Sequence, residues 1–434
     1  MGLPFYHWAE RDAEQREELL LRPAVSQDEY IREGVREIIA SVRAYGDTSL
    51  FELTQKYDHA HITDFKVAST EIAAAGEHLS GEQFAAIDLA IANVRKFHEH
   101  QEPTPISVET MPGVLCERIS QPIDAVGLYV PAGTAPLPSA AIMLAVPAMI
   151  AKCPKVILCT PPRPDGSADP AVLVAASRAG VTEIYTLGGA QAIAAMAYGT
   201  ASIPKVRKIF GPGNTWVTSA KSVVSTDPCG AAIDMPAGPS EVLVIGDSSA
   251  SPELVAADLL SQAEHGVDSQ VLFVTNDAAL AAAVSTEVDT QLAGLSRAKT
   301  AAAALENSRI IITNDLETSI EISNRYAPEH LILQIEAPRD VLPLVRNAGS
   351  VFVGRWTPES VGDYCSGTNH VLPTYGYAST YSGLGVEQYM RHMTVQELTR
   401  EGLGKLGAAV ISLAGLEGLD AHAAAVSRRL ETRK

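Results

Sequence analysis

The chain has 434 residues, 46% of them apolar and 19% charged, and 33 Lys and Arg against 51 Asp and Glu leave a formal charge of −18. That apolar share can build a real core and excludes a disordered acidic chain. The charge argues against sequence-independent binding to nucleic acid or an anionic membrane, while leaving room for a local basic site.

Length alone predicts about three folding units. Five cysteines (Cys116, Cys153, Cys159, Cys229 and Cys365), none in a CxxC pair, read as a reducing compartment rather than a disulfide framework. The first residues lack the basic and apolar regions of a signal peptide. The longest uncharged stretch, about 125–151, is broken by prolines and glycines, so it does not read as a membrane span. The expectation is a cytoplasmic protein.

In chain order, residues 27–100 read as helical. Residues 26–29 (Ser, Gln, Asp, Glu) form a start signal, and Ile31, Val35, Ile38, Ile39 and Val42 follow at helical spacing. A second helical stretch covers 80–98. From 125 the texture changes to strand, turn, helix. Strands are predicted at 125–130, 156–160, 183–187 and 208–210, ended by turns at 131–133, at Pro161 and Pro162, at 188–191 and at 211–214. A second series follows at 241–245, 270–274, 310–312 and 351–353. Such alternation predicts βαβ units and parallel sheets, here two α/β units. From Thr394 onward the chain reads as helical. Its Ala, Leu and Gly content calls for something to pack on, such as a second subunit.

Ligands of open parallel sheets sit beyond the carboxyl ends of the strands. In the first unit those ends carry glycine-containing turns and one polar side chain each: Tyr129, Gln191 and Asn214. Glycine admits close backbone approach and helix starts present free N–H groups to phosphates. Three such turns together point to a nucleotide, although no GxGxxG follows any strand; singly, each is an ordinary βα turn. Ser251 and Pro252 start a helix on which Gln262 and His265 share a face, as a metal-binding pair or as a polar helix end. Glu329 and His330, after Pro328, stand at a strand entrance and can move protons near neutral pH. The segment 358–370 is a polar, glycine-punctuated loop of the kind that carries function, and Glu417 and His422 lie in the tail.

These segments resemble the histidinol dehydrogenase family. The resemblance rests on AIDMPAGPSEVLVI at 232–245, DLLSQAEH at 258–265, FGPGN at 210–214, APEH at 327–330 and GTNHVLPTY at 367–375, and it runs from about Trp8 to the last helix. It implies two Rossmann-like parallel-sheet units with helical N- and C-terminal arms in an intertwined homodimer. It also implies an N-terminal arm at 1–25, a discontinuous zinc and catalytic domain of 26–128 plus 239–384, an NAD-binding domain at 129–238 and a helical tail at 385–434. The implied activity is oxidation of L-histidinol through L-histidinal to L-histidine, the last steps of L-histidine biosynthesis, with two NAD.

Carried over residue by residue, the resemblance gives zinc to Gln262, His265, Asp363 and His422. His330 becomes the general base and Glu329 the activator of water. The same four zinc ligands, with Ser240, His330, His370 and Glu417, contact substrate, while Tyr129, Gln191 and Asn214 contact NAD. Glu417 and His422 would serve the other subunit. The segment around 163–169 reads as a short surface insertion. Cys116 and Cys153 read as small structural residues rather than nucleophiles. One rival is a related dehydrogenase for another small alcohol, such as a sulfonated diol. The other is a zinc hydrolase using Glu264 or Glu329. Against the hydrolase, there is no HExxH and the glycine turns would have no purpose.

Overall fold

The computed structural model describes residues 3–23, 29–132, 136–236 and 238–432. The expected helix start at 26–28 and the turn residue Gly133 lie outside the described residues. The strands are β1 Phe5–His7, β2 Ile106–Met111, β3 Val114–Pro122, β4 Ala125–Tyr129, β5 Lys155–Thr160, β6 Ile184–Thr186, β7 Lys208–Phe210, β8 Ala232–Ile233, β9 Glu241–Gly246, β10 Gln270–Thr275, β11 Arg309–Ile312, β12 His330–Gln334, β13 Ser350–Val353 and β14 Met390–Leu398.

Two parallel sheets organise the chain, as the alternating pattern predicts. The first has five strands in the order β6-β5-β4-β7-β8. The second has six, in the order β1-β11-β10-β9-β12-β13. The central strands β9 and β10 are buried along their whole length, as near-continuous apolar runs must be when helices cover both faces of a sheet. Separate apolar clusters fill the two faces of each sheet.

The helices expected at 27–100 form, the main ones being Glu29–Tyr45, Asp47–Asp58 and Gly81–His98. Ser80 and Gln83 close a reciprocal cap on the last. Their packing differs from the expected grouping of 26–128 with 239–384. Val35, Ile38, Ile39, Val42 and Leu50 pack with Tyr129, Ile157 and Ile193 of the first unit. Ile87, Ile91 and Val94 pack with Met143 and Leu144. Apolar spacing reveals that a helix has a buried stripe but not which sheet receives it.

Several elements escaped the sequence reading. The N-terminal arm begins as a strand, β1, that extends the second sheet beside β11. Strands β2 and β3 pair with β14 in a separate antiparallel sheet, order β14-β3-β2. The tail therefore opens as a nine-residue strand rather than a helix. Only beyond it do the helices Arg400–Leu416 and Asp420–Glu431 follow. Residues 390–398 carry no strict alternation because nearly all of them are exposed in one chain. Part of the expected polar loop at 358–370 is a short helix, Glu359–Tyr364.

The turn after β7 depends on one glycine. Gly211 has φ +124°, and a Cβ there would stand 2.1 Å from the Tyr129 carbonyl oxygen. Its N–H donates to Asp234 Oδ2 at 2.8 Å, and Asp234 also pairs with the buried Lys221 at 2.5 Å. Gly211→Ala is expected to cost about 1–3 kcal/mol through backbone strain, read as a lower midpoint in thermal unfolding. An unchanged midpoint would mean that the turn relaxes freely.

Candidate active site

The two sheets present chemistry at opposite strand ends. In the first unit, Tyr129, Gln191 and Asn214 line one cavity of about 500 Å³ at the carboxyl ends of the strands, together with Ile38, Tyr57, Asp58, Pro131, Pro161 and Trp216. The Tyr129 hydroxyl accepts the Gly189 N–H at 3.0 Å. Asn214 caps the helix Thr215–Thr226, its Oδ1 accepting the Val217 N–H at 3.1 Å. Gln191 is buried, and its amide donates to Asp58 Oδ2 at 3.4 Å. Partial burial pushes the Asp58 carboxyl up to about 6, against a small downward pull from His59.

In the second unit the chemistry stands at the amino ends of the strands. Glu329 precedes β12, His330 opens it, and Glu241 opens the neighbouring β9. A parallel pairing that sets His330 against Val242 brings these residues together. The helix Pro252–Ala263 runs back from the far end of β9, which returns Gln262 and His265 to the same edge. Glu329 and His330 thus stand at a strand entrance, as expected.

Glu241 holds the Glu329–His330 pair three ways. Its N–H donates to Glu329 Oε2 at 2.9 Å. Its carboxylate accepts the Glu329 N–H at 3.2 Å. Its carbonyl oxygen lies 3.1 Å from His330 Nδ1. A carbonyl can only accept, so Nδ1 carries the proton in this contact and Nε2 has the lone pair. His330 Nε2 is buried without a hydrogen-bond partner, 3.9 Å from Asp363 Oδ1. Burial drives the His330 pKa down to about 4, against upward pulls from Asp363 and the Glu241 carbonyl. The imidazole is therefore neutral at ordinary pH, as a general base must be. Burial pushes the Glu329 carboxyl well above its usual range, against its bond to the Glu241 N–H.

Glu241 is itself fixed by Arg22 from the N-terminal arm, through contacts of 2.5 and 2.9 Å to the two carboxylate oxygens. Arg22 also donates to the Tyr326 carbonyl at 2.6 Å and lies 3.9 Å over the Tyr326 ring. The sequence reading found neither Arg22 nor Glu241 as site residues. Glu241 stood inside an apolar strand motif, and nothing local marked its partner 219 positions away.

Beside the pair, ligand-type atoms of His265, Glu359 and Asp363 lie within 4.8 Å of one another. Glu359 was also missed; it is buried at the start of the short helix Glu359–Tyr364 and sits 3.4 Å from Ser261 Oγ. The Gln262 side chain is fully buried and both its amide atoms lack partners. Such orphaned atoms are costly unless something binds them. Together with the surplus of carboxylates, they fit a divalent cation. The His370 Nδ1 lies 2.9 Å from the Asp363 carbonyl, and Ser240 immediately precedes β9. The expected ligand His422 is not part of the cluster that one chain builds. It and Glu417 lie on the exposed tail. Cys153 is buried with its thiol pushed up to about 11 by that burial, in keeping with an inert structural residue. Among the described residues no helix is long and apolar enough to cross a membrane.

Comparison with known proteins shows the family. The family model for histidinol dehydrogenase matches residues 21–430. The histidinol dehydrogenase of Vibrio parahaemolyticus is 54% identical over 424 residues, covering 98% of this chain and 97% of that protein. The Yersinia pestis histidinol dehydrogenase is likewise 54% identical, over 98% of this chain and 95% of its own length. A crystal structure of histidinol dehydrogenase from Elizabethkingia anophelis superposes with a TM-score of 0.95 at 44% identity, covering 99% of this chain and 98% of that one. The chain belongs to the histidinol dehydrogenase family of oxidoreductases.

Proposed function

We propose that this chain oxidises L-histidinol through L-histidinal to L-histidine, the last steps of L-histidine biosynthesis, with two NAD per turnover. The observation that carries this reading is the imidazole of His330, held at Nδ1 by the Glu241 carbonyl with its free Nε2 beside the His265, Glu359 and Asp363 cluster. An alcohol oxidation needs a base at the hydroxyl, and an aldehyde oxidation needs a base on water at the same carbon. Two proton-moving groups adjacent in sequence serve one carbon in both steps.

Gln262, His265 and Asp363 would hold zinc together with His422 from a second copy of the chain. Bound zinc would fix and polarise the nitrogen donors of the substrate. NAD, in the cavity of Tyr129, Gln191 and Asn214, would accept the hydride of each oxidation. The chain's own groups do the rest. His330 Nε2 takes the hydroxyl proton. Glu329, its carboxyl raised by burial, takes a proton from the water that adds to the aldehyde carbon. Ser240, His370 and Glu417 orient the substrate. The surplus of carboxylates around the site also attracts a cationic substrate such as histidinol.

The tail supports a homodimer with shared sites. Leu413 is 61% exposed and Leu416 is 83% exposed, and Val108, Met393 and Val395 of the antiparallel sheet are also exposed. A second copy would cover this apolar surface and would bring Glu417 and His422 to a site that one chain leaves without them. A cytoplasmic location follows as part of the same reading.

With L-histidinol and NAD, the purified protein should form NADH, and a chelator should abolish the reaction until zinc is restored. Strong turnover of another alcohol beside weak turnover of L-histidinol would replace the substrate. His330→Asn should slow alcohol oxidation by about 10²-fold or more while zinc content stays at the wild-type level; wild-type turnover would remove His330 from the chemistry. Arg22→Met should cost about 3–5 kcal/mol in urea denaturation, because a buried carboxylate loses its cation, and should lower kcat more than it raises KM. Unchanged stability and kcat would show that the Glu241 clamp holds without the arm. Mixing inactive His330→Ala with inactive His422→Ala subunits should rebuild a complete site in each heterodimer. Proven heterodimers with no activity would refute the crossed tail.

A further inference from the structure

The cavity of Tyr129, Gln191 and Asn214 contains one charged residue among its described lining, and that residue is an acid. Asp58 ends the helix Asp47–Asp58 and faces the cavity from the helical layer. Ile38, Tyr57, Pro131, Pro161 and Trp216 supply broad apolar walls that suit a nucleotide base, and no Lys, Arg or His is among the described lining residues. The remaining polar groups are the Tyr129 hydroxyl and the amides of Gln191 and Asn214. Tyr129 and Asn214 are already engaged in holding Gly189 and the helix Thr215–Thr226.

A dinucleotide in such a cavity has its phosphates served by helix N-termini, which here follow Gly188 and Asn214. Its ribose hydroxyls need acceptors, and an acidic side chain commonly takes that role in NAD sites. A 2′-phosphate needs the opposite, a cation to pair with it. The side-chain amide of Gln191 points its donor at Asp58 Oδ2, at 3.4 Å, so the carboxylate is oriented from one side and open to the cavity on the other.

We infer that the Asp58 carboxylate is the specificity determinant of the cofactor site, accepting ribose hydroxyls of NAD and repelling the 2′-phosphate of NADP. This rests on the reading of that cavity as the NAD site. It assigns a role to a residue that lies about 270 positions from the Glu329–His330 pair in sequence.

The test compares binding of NAD and NADP, by quenching of intrinsic fluorescence and by kcat/KM with L-histidinol, in wild type, Asp58→Asn and Asp58→Ser. Wild type should prefer NAD. In both variants the NAD:NADP preference should fall by about 10-fold or more, the scale of one lost charge–charge or charge-assisted contact, through weaker NAD binding, stronger NADP binding or both. Asp58→Asn keeps the shape, so it guards against a folding defect in Asp58→Ser; matching circular dichroism and zinc content exclude that defect. An unchanged preference in both folded variants overturns the role of Asp58. If wild type binds neither dinucleotide, or if Asn214→Ala and Gln191→Ala leave NAD binding untouched, the cavity itself is misassigned, which is a different failure.

Discussion

The amino-end edge of the second sheet, where the candidate site lies, depends on one residue, Glu241, and on the cation that pins it. A strand residue normally spends its backbone groups on its neighbours in the sheet. Glu241 sits at the first position of β9, where that ladder begins, so its N–H and C=O are free to serve side chains. It uses one on Glu329 and the other on His330, and its own carboxylate closes the loop onto the Glu329 N–H. Arg22 neutralises that carboxylate from the N-terminal arm. The arrangement leaves the lone pair of His330 on Nε2, something that composition and motif cannot specify.

The same edge gathers Glu329, Glu359 and Asp363 in a space that largely excludes water. Burial pushes Glu329 and Glu359 upward, and neighbouring carboxylates add to it, Glu241, Glu359 and Asp363 for Glu329 and Asp363 and Asp258 for Glu359. A protein that needed only stability would not retain such a set, together with a Gln262 amide that has no partner. The unfavourable burial is understandable when a cation and a cationic substrate complete the site. The first sheet follows the opposite logic. Its cavity has Asp58 as the one charged residue among the described lining, beside the polar side chains of Tyr129, Gln191 and Asn214, and two helix starts stand next to it.

The outer layer has a different character. The antiparallel sheet of β2, β3 and β14 and the two tail helices carry little buried surface of their own, and large apolar side chains remain on their outer faces. Within one chain the tail is held mainly through β14 on β3 and through one tail helix on the other. This accounts for how far Glu417 and His422 stand from the cluster that they were expected to join.

Local sequence determined a good deal. The eight strands expected in the two parallel series all form, because buried parallel strands are continuous apolar runs that survive any topology. The helices of 29–98 were legible from apolar spacing. The dipeptide at 329–330 was correctly placed at a strand entrance because Pro328 forbids further helix. What only the tertiary structure decided were relations between distant segments. The strand β14 has no apolar alternation, since its stability comes from pairing with β3 rather than from a buried face. Arg22 and Glu241 are far apart in sequence and meet only because the arm folds over the second sheet. Glu359 looks like one more exposed acid in a polar loop until the loop becomes a helix start at the buried edge. Asp58 looks like the end of an ordinary helix until the packing of that helix on the first sheet turns its carboxylate toward the cavity. Periodicity and punctuation record what a segment does to its own backbone. The meeting of side chains depends on how sheets and helices are stacked, and that is fixed by long-range packing.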